Sequence, residues 1–238
     1  MNRELLYNGA KSYGITLDDK QMDMFEIYMR LLKEWNEKIN LTAITDDEEI
    51  VKKHFLDSIS IVKSGLINDN LKIIDVGTGA GFPGIPLKII NPSLKITLLD
   101  SLKKRISFLN DVIQNLGLKD IEAVHGRAED FARKDDFRES FDIATARAVA
   151  HMNVLSEYCM PYVKVKGYFV AMKGPSIEEE INESKNAIGT LGGKLIDIIT
   201  TSIPEYNMDH KLIIVEKIKS TDKKYPRKPA QIEKKPIR

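Results

Sequence analysis

The chain reads as an α/β protein. A mainly parallel seven-stranded sheet with an antiparallel last strand is expected behind an N-terminal helical layer. Three observations carry this. From Leu71 onward short apolar runs alternate with helical periodicity, the pattern of a parallel sheet with helices on both faces. The run Leu71–Val76 ends in an acid and breaks into glycines at 77, 79 and 81, the form of a buried strand, a tight loop and a helix start. The last two strands have only Ser202 to Asp209 between them, too short for a helical crossover, so they are expected to pair antiparallel.

The elements follow in order. Between Thr16 and Asn40, Met22, Phe25, Met29, Leu32 and Trp35 recur at helical spacing and form one apolar face. Thr45-Asp46-Asp47-Glu48 has the form of a capping box and opens a second helix that buries Ile50, Val51, Phe55, Ile59 and Ile61. Strands are expected at Leu71–Val76, Lys95–Leu99, Ile121–Val124, Phe141–Ala146, Gly167–Met172, Lys194–Thr200 and Lys211–Ile218. Helices are expected at Ser101–Leu116, Asn153–Val163 and Ser176–Ile188, the first stopped by Gly117. This divides the chain into a helical extension at 1–66, a ligand-binding sheet domain at 67–218 and a basic tail at 219–238.

Composition excludes several classes. No apolar run reaches the length of a membrane span, and Met1-Asn2-Arg3-Glu4 lacks a signal-peptide pattern. The single Cys159 rules out an internal disulfide framework and a cysteine-rich zinc site, and its helical setting makes it a packing residue. A cytoplasmic protein without metal is expected. The net charge of +1 hides an asymmetry, since Lys217–Arg238 carries +7 and the rest −6. Such a tail suits a polyanion partner or is a solvated, disordered terminus; charge alone favours neither.

The glycine loop carries the chemistry. It departs from the dinucleotide fingerprint, having Phe82 where a third glycine belongs, and lacks the Gly-Lys-Ser/Thr of a P-loop. Asp75 is expected to aim its carboxylate into the crevice beside Gly77, Thr78 and Gly79, which suits a ligand with a positive end. The pattern resembles motif I of class I S-adenosylmethionine-dependent methyltransferases, which have a Rossmann-like fold. In that frame Asp100, ending the second strand, accepts hydrogen bonds from ribose hydroxyls or caps the next helix. Ala128 and Glu129 read the adenine edge, and Phe82 offers an apolar wall. Arg147 and Lys173, ending the fourth and fifth strands, stand at the acceptor side with Arg127.

The chain lacks the Asp/Asn-Pro-Pro-Tyr/Phe run of exocyclic amine methylation, and Cys159 has no loop motif of a carbon methylase. An acceptor that is already nucleophilic, such as guanine N7, remains. It requires mainly alignment and exclusion of water. His54 is unnecessary as a base there and reads as a packed, hydrogen-bonded residue.

Longer stretches narrow the resemblance. Trp35–Ile44, Lys53–Ser58, Val76–Pro86, Arg147-Ala148, Lys173-Gly174 and Lys223–Pro229 are similar to motifs of the ribosomal small-subunit methyltransferase G family, also called glucose-inhibited division protein B. The resemblance implies methyl transfer from S-adenosyl-L-methionine to guanine N7 in the 530 loop of 16S ribosomal RNA, within a small-subunit particle. It implies cofactor contacts at Gly77, Phe82, Ala128, Glu129 and Arg147. RNA contacts are expected from Lys223, Lys224, Arg227 and Lys228. Where the family often has Arg before the last strand, this chain has His210 and Lys211, which take over an RNA contact or leave it absent. Two other readings stay open: a small-molecule or protein methyltransferase, and a non-catalytic RNA-binding module.

Overall fold

A computed structural model describes residues 1–147, 150–203 and 209–237. Its strands are β1 (Lys72–Val76), β2 (Lys95–Asp100), β3 (Ile121–His125), β4 (Phe141–Arg147), β5 (Val163–Lys173), β6 (Gly193–Ser202) and β7 (Asp209–Lys217). They form one sheet in the order β3-β2-β1-β4-β5-β7-β6. Pairing is parallel from β3 to β5, while β7 runs antiparallel to both β5 and β6. The strand order reverses between β1 and β4, so their carboxyl ends diverge into a crevice where such sheets hold ligands. Ala148, part of the Arg-Ala motif, and the 204–208 connection expected to be short lie outside the described residues.

Side-chain alternation along the strands builds two cores. Ile73, Ile96, Leu98, Ile143 and Val170 belong to the first, together with the N-terminal helices. Ile74, Leu99, Ala144, Phe169 and Ala171 belong to the second, with Leu155, Ile181 and Ile188 from the helices on the other face. Cys159 is buried in this second core.

The N-terminal layer comprises α1 (Arg3–Ser12), α2 (Asp19–Asn36) and a composite helical stretch from Asp47 to Ser64. The helix expected over Thr16–Asn40 is shorter at both ends. Asp18 and Gln21 form a reciprocal capping box at its start. Past its end, Asn36 Oδ1 accepts from the backbone N–H groups of Leu41 and Thr42. The second cap also moves: Asp46, not Thr45, accepts from Glu49 N at 3.0 Å. The stretch then widens to a π-helical segment at Val51–Leu56 before Asp57. Tyr28 of α2 donates its hydroxyl to the Ala80 carbonyl, fastening the layer to the glycine loop.

The basic tail is not a solvated, disordered terminus. Arg138 donates to the carbonyls of Thr221 at 2.8 Å and Tyr225 at 2.9 Å, and Arg133 to that of Pro226. Lys217 is fully buried, where it donates to the Met160 carbonyl at 2.6 Å and pairs with Glu139 at 3.2 Å. Burial lowers its pKa to about 8. Arg227 clamps the buried Glu157 through Nε and Nη2, at 3.0 and 2.7 Å. A short helix, α3 (Pro229–Lys234), follows.

Gly84 opens the helix Gly84–Ile90 against β1 and β2. A Cβ there would stand 2.3 Å from Leu98 Cδ2 and 3.0 Å from Asp75 Oδ2. Gly84→Ala is therefore expected to cost about 1–3 kcal/mol, read as a lower urea midpoint at unchanged slope.

Candidate functional site

The loop after β1 is held from beneath and from the side. Gly77 N and Thr78 N both donate to the Leu99 carbonyl, at 2.8 and 3.1 Å, extending the β1–β2 pairing past the strand ends. Gly77, Gly79 and Gly81 all have positive φ, of 70°, 61° and 96°, a conformation that side chains with a Cβ resist. At Gly79 an added Cβ meets no protein atom within 4 Å. Backbone conformation and an open crevice, rather than protein packing, therefore explain glycine at this position.

Asp75 does not aim into the crevice. Its carboxylate is fully buried under the loop, where Oδ2 accepts from Thr78 Oγ1 at 2.7 Å and Gly84 N at 2.9 Å. Burial raises its pKa to about 6. It staples the loop to the next helix instead of facing a ligand. Asp100 stands where the ligand space opens. Its Oδ2 accepts from Gly79 N at 3.0 Å and from Arg105, and its Oδ1 from Leu102 N at 2.9 Å. The helix after β2 starts at Lys103 with Leu102 at its cap position, so Asp100 braces the turn rather than capping a helix from Ser101.

Two hollows meet at Gly77, Asp100 and Ser101. The first, about 420 Å³, is lined by Gly126, Arg127, Ala128, Glu129 and Tyr158, with Pro229 and Glu233 from the tail. The second, about 370 Å³, is lined by Thr42, His54, Thr78, Gly79, Phe82 and Arg147. Phe82 thus walls the second hollow and not the one beside Ala128. Arg127 belongs to the first hollow, where its mostly exposed guanidinium sits 3.8 Å from Glu129, so the structure separates it from Arg147. Lys173 lines neither. Its ammonium pairs with Glu180 at 2.5 Å and donates to the Ala150 carbonyl.

Arg147 is the most constrained cation of the site. It donates to the Lys53 carbonyl and to Asp57 Oδ2, each at 2.7 Å, and to His54 Nδ1 at 3.2 Å. Its guanidinium carbon lies 4.9 Å from the centre of the Phe82 ring, and the His54 ring stacks on Phe82 at 4.5 Å. Arginine can only donate, so His54 Nδ1 is the acceptor. The proton is then on Nε2, facing Thr42 Oγ1 at 2.8 Å. Burial, with Arg147 adding to it, lowers the His54 pKa to about 4. His210, expected at RNA, instead meets Asp57 Oδ1 at 2.5 Å. Arg227 is likewise spent on Glu157. Lys211 is half-buried with its ammonium on Thr200, while Lys223, Lys224 and Lys228 are exposed. The sequence suggests Asp57 as a link between the helical layer and the sheet, which the structure bears out, but not as the centre of this network; Tyr158, Pro229 and Glu233 were missed as lining residues.

Among the described residues no group of three or more His, Cys, Asp or Glu is arranged to hold a metal ion, and no helix is long and apolar enough to cross a membrane.

A glycine loop at the switch point of this seven-stranded sheet, with an acid at the end of β2, defines the class I methyltransferase fold. Solved structures share it. TYW2 of M. jannaschii in complex with AdoMet matches with a TM-score of 0.53 at 19% identity, over 68% of this chain and 77% of that one. A SAM-dependent methyltransferase from Aquifex aeolicus matches with a TM-score of 0.53 at 17% identity, over 77% and 97%. The model of the rRNA small subunit methyltransferase G family, GidB, matches residues 21–210, and the chain belongs to that family. Proteins named ribosomal RNA small subunit methyltransferase G are similar along nearly the whole chain. Those of Clostridium perfringens (strain 13 / Type A) and Clostridium botulinum (strain Eklund 17B / Type B) are 56% and 55% identical, each over 99% of this chain and 98% of theirs.

Gly79→Val places a β-branched side chain at positive φ and into the open crevice. It is expected to abolish S-adenosylhomocysteine binding in calorimetry while the circular dichroism of the sheet is kept. A second outcome concerns acid. His54 has an ordinary pKa of 6.5 when unfolded and about 4 when folded, so between those values the unfolded chain holds more protons. Stability therefore falls as pH drops through that window, by on the order of 3 kcal/mol. His54→Gln is expected to flatten this part of the urea-midpoint profile. The opposing contribution of Asp75 is common to both proteins and cancels in the comparison.

Proposed function

We propose that this chain transfers a methyl group from S-adenosyl-L-methionine to guanine N7 of small-subunit ribosomal RNA, in the 530 loop, working in the cytoplasm on a small-subunit particle. The observation that carries this reading is the pair of joined hollows behind the glycine loop, with Asp100 at their junction. When bound, the cofactor supplies an electrophilic methyl group on a sulfonium. Asp100 has lone pairs left for ribose hydroxyls. The backbone of Ala128 and Glu129 borders the space for the base, and Gly77 and Gly79 let the chain approach closely.

Charge in the second hollow suits a sulfonium. Asp57 neutralises Arg147, Asp100 pairs with Arg105 at 3.1 Å, and His54 is held uncharged, so a cationic ligand meets no net repulsion there. The same geometry bears on the acceptor. The Nδ1 lone pair of His54 is engaged by Arg147, and the lone pairs of Asp100 not taken by Gly79, Leu102 and Arg105 are those given to the ribose. On this reading no base is left over in the hollow among the described residues. An acceptor that reacts without losing a proton, as guanine N7 does, fits that inventory. The site residues then align and dehydrate the reacting atoms. RNA is drawn in by Lys211, Lys223, Lys224 and Lys228, with Lys173 near Lys211 across the β5–β7 register.

Tritiated methyl transfer to small-subunit particles tests this, with aniline cleavage locating N7-methylguanine. Label outside ribosomal RNA, or no cleavage at the labelled base, would overturn it. Replacing Lys223, Lys224 and Lys228 together by Gln is expected to weaken RNA binding and reduce its salt slope by about 2–3, with S-adenosylhomocysteine affinity unchanged.

A further inference from the structure

The C-terminal tail was expected to serve RNA, yet its last helix lies elsewhere. Pro229 and Glu233 line the first hollow together with Gly126–Glu129. They are held there. Ile232 is fully buried and anchors α3. Just before it, Arg227 takes both oxygens of Glu157, its backbone N–H adds a further bond at 2.7 Å, and its Nη1 reaches the Lys235 carbonyl at 2.9 Å. Glu157 is fully buried, and its neighbour Tyr158 lines the same hollow. One ion pair therefore fixes two walls at once: the helix carrying Tyr158 and the helix carrying Glu233. The family match ends at residue 210, so α3 lies outside it.

We propose that α3 is the outer wall of the cofactor's base end, with Arg227 as the positioning residue that holds it and Glu233 as an acceptor for the exocyclic amine of adenine. The inference rests on the cofactor reading given above. Adenine's amine is a strong donor, and this hollow offers it carboxylates at Glu129 and Glu233. Both charges are felt within it. Burial, then Glu129 and Glu233, push the Tyr158 pKa up to about 12. Burial also raises that of Glu129, with Asp130 and Glu233 adding to the effect. A donor between the two carboxylates relieves this crowding, so base recognition and wall closure reinforce one another.

Calorimetry on the full chain tests this with S-adenosylhomocysteine and its inosine analogue, which has a carbonyl in place of the amine. Arg227→Ala is expected to weaken S-adenosylhomocysteine by about tenfold by releasing the wall, and Arg227→Lys by less. Glu233→Ala changes an exposed side chain and keeps the test usable if the Arg227 variants fail to fold. It is expected to weaken S-adenosylhomocysteine about fivefold, a charged hydrogen bond's worth, and the inosine analogue little. Wild-type affinity in Glu233→Ala and the folded Arg227 variants would overturn the inference and leave the cofactor reading standing. Equal losses for both ligands in Glu233→Ala would overturn the amine assignment. No binding of S-adenosylhomocysteine to the wild-type chain would overturn the cofactor reading and this inference with it.

Discussion

The buried carboxylate of Asp57 is the constraint on which the site depends. It is 2% exposed, on the helical layer, and it accepts from Arg147 at the end of β4 and from His210 at the start of β7. Burial alone would raise its pKa; the His210 hydrogen bond and the charge of Arg147 outweigh this, and it is lowered. A buried charge left without its partner costs on the order of 3–5 kcal/mol, so the three elements are held to one geometry. That geometry sets the second hollow. Arg147 is kept over Phe82, its charge is compensated, and His54 is fixed in a single neutral tautomer.

The two ends of the crevice solve different problems. On the proposed reading the second hollow accepts a positive sulfonium, and the two guanidiniums that line it, Arg147 and Arg105, are paired with Asp57 and Asp100. The first is bordered by carboxylates and backbone, which suits a neutral base with donor groups. Asp100 joins them, and its hydrogen bonds to Gly79 and Leu102 keep the β1 loop and the β2 turn in register. The cations of the chain divide in the same way. Arg133, Arg138, Lys217 and Arg227 stitch the tail to the body. Lys223, Lys224 and Lys228 remain exposed as an electrostatic surface. The segment Lys217–Arg238, with a net charge of +7 by sequence, thus divides its cations by which side chains find buried partners.

Amino-acid order by itself determined the α/β architecture, the positions of all seven strands to within a few residues, the glycine loop and the acid at the end of β2. These are local signals: apolar runs, periodicity and glycine spacing act over neighbouring residues. Tertiary structure decided the roles of particular side chains. Asp75 turned under the loop because Gly84 N and Thr78 lie there to receive it. His210 met Asp57 across 153 positions, and Arg227 met Glu157 across 70. A charge's function depends on whether folding brings a buried partner within hydrogen-bond distance, and no local pattern encodes a pairing that closes over such separations.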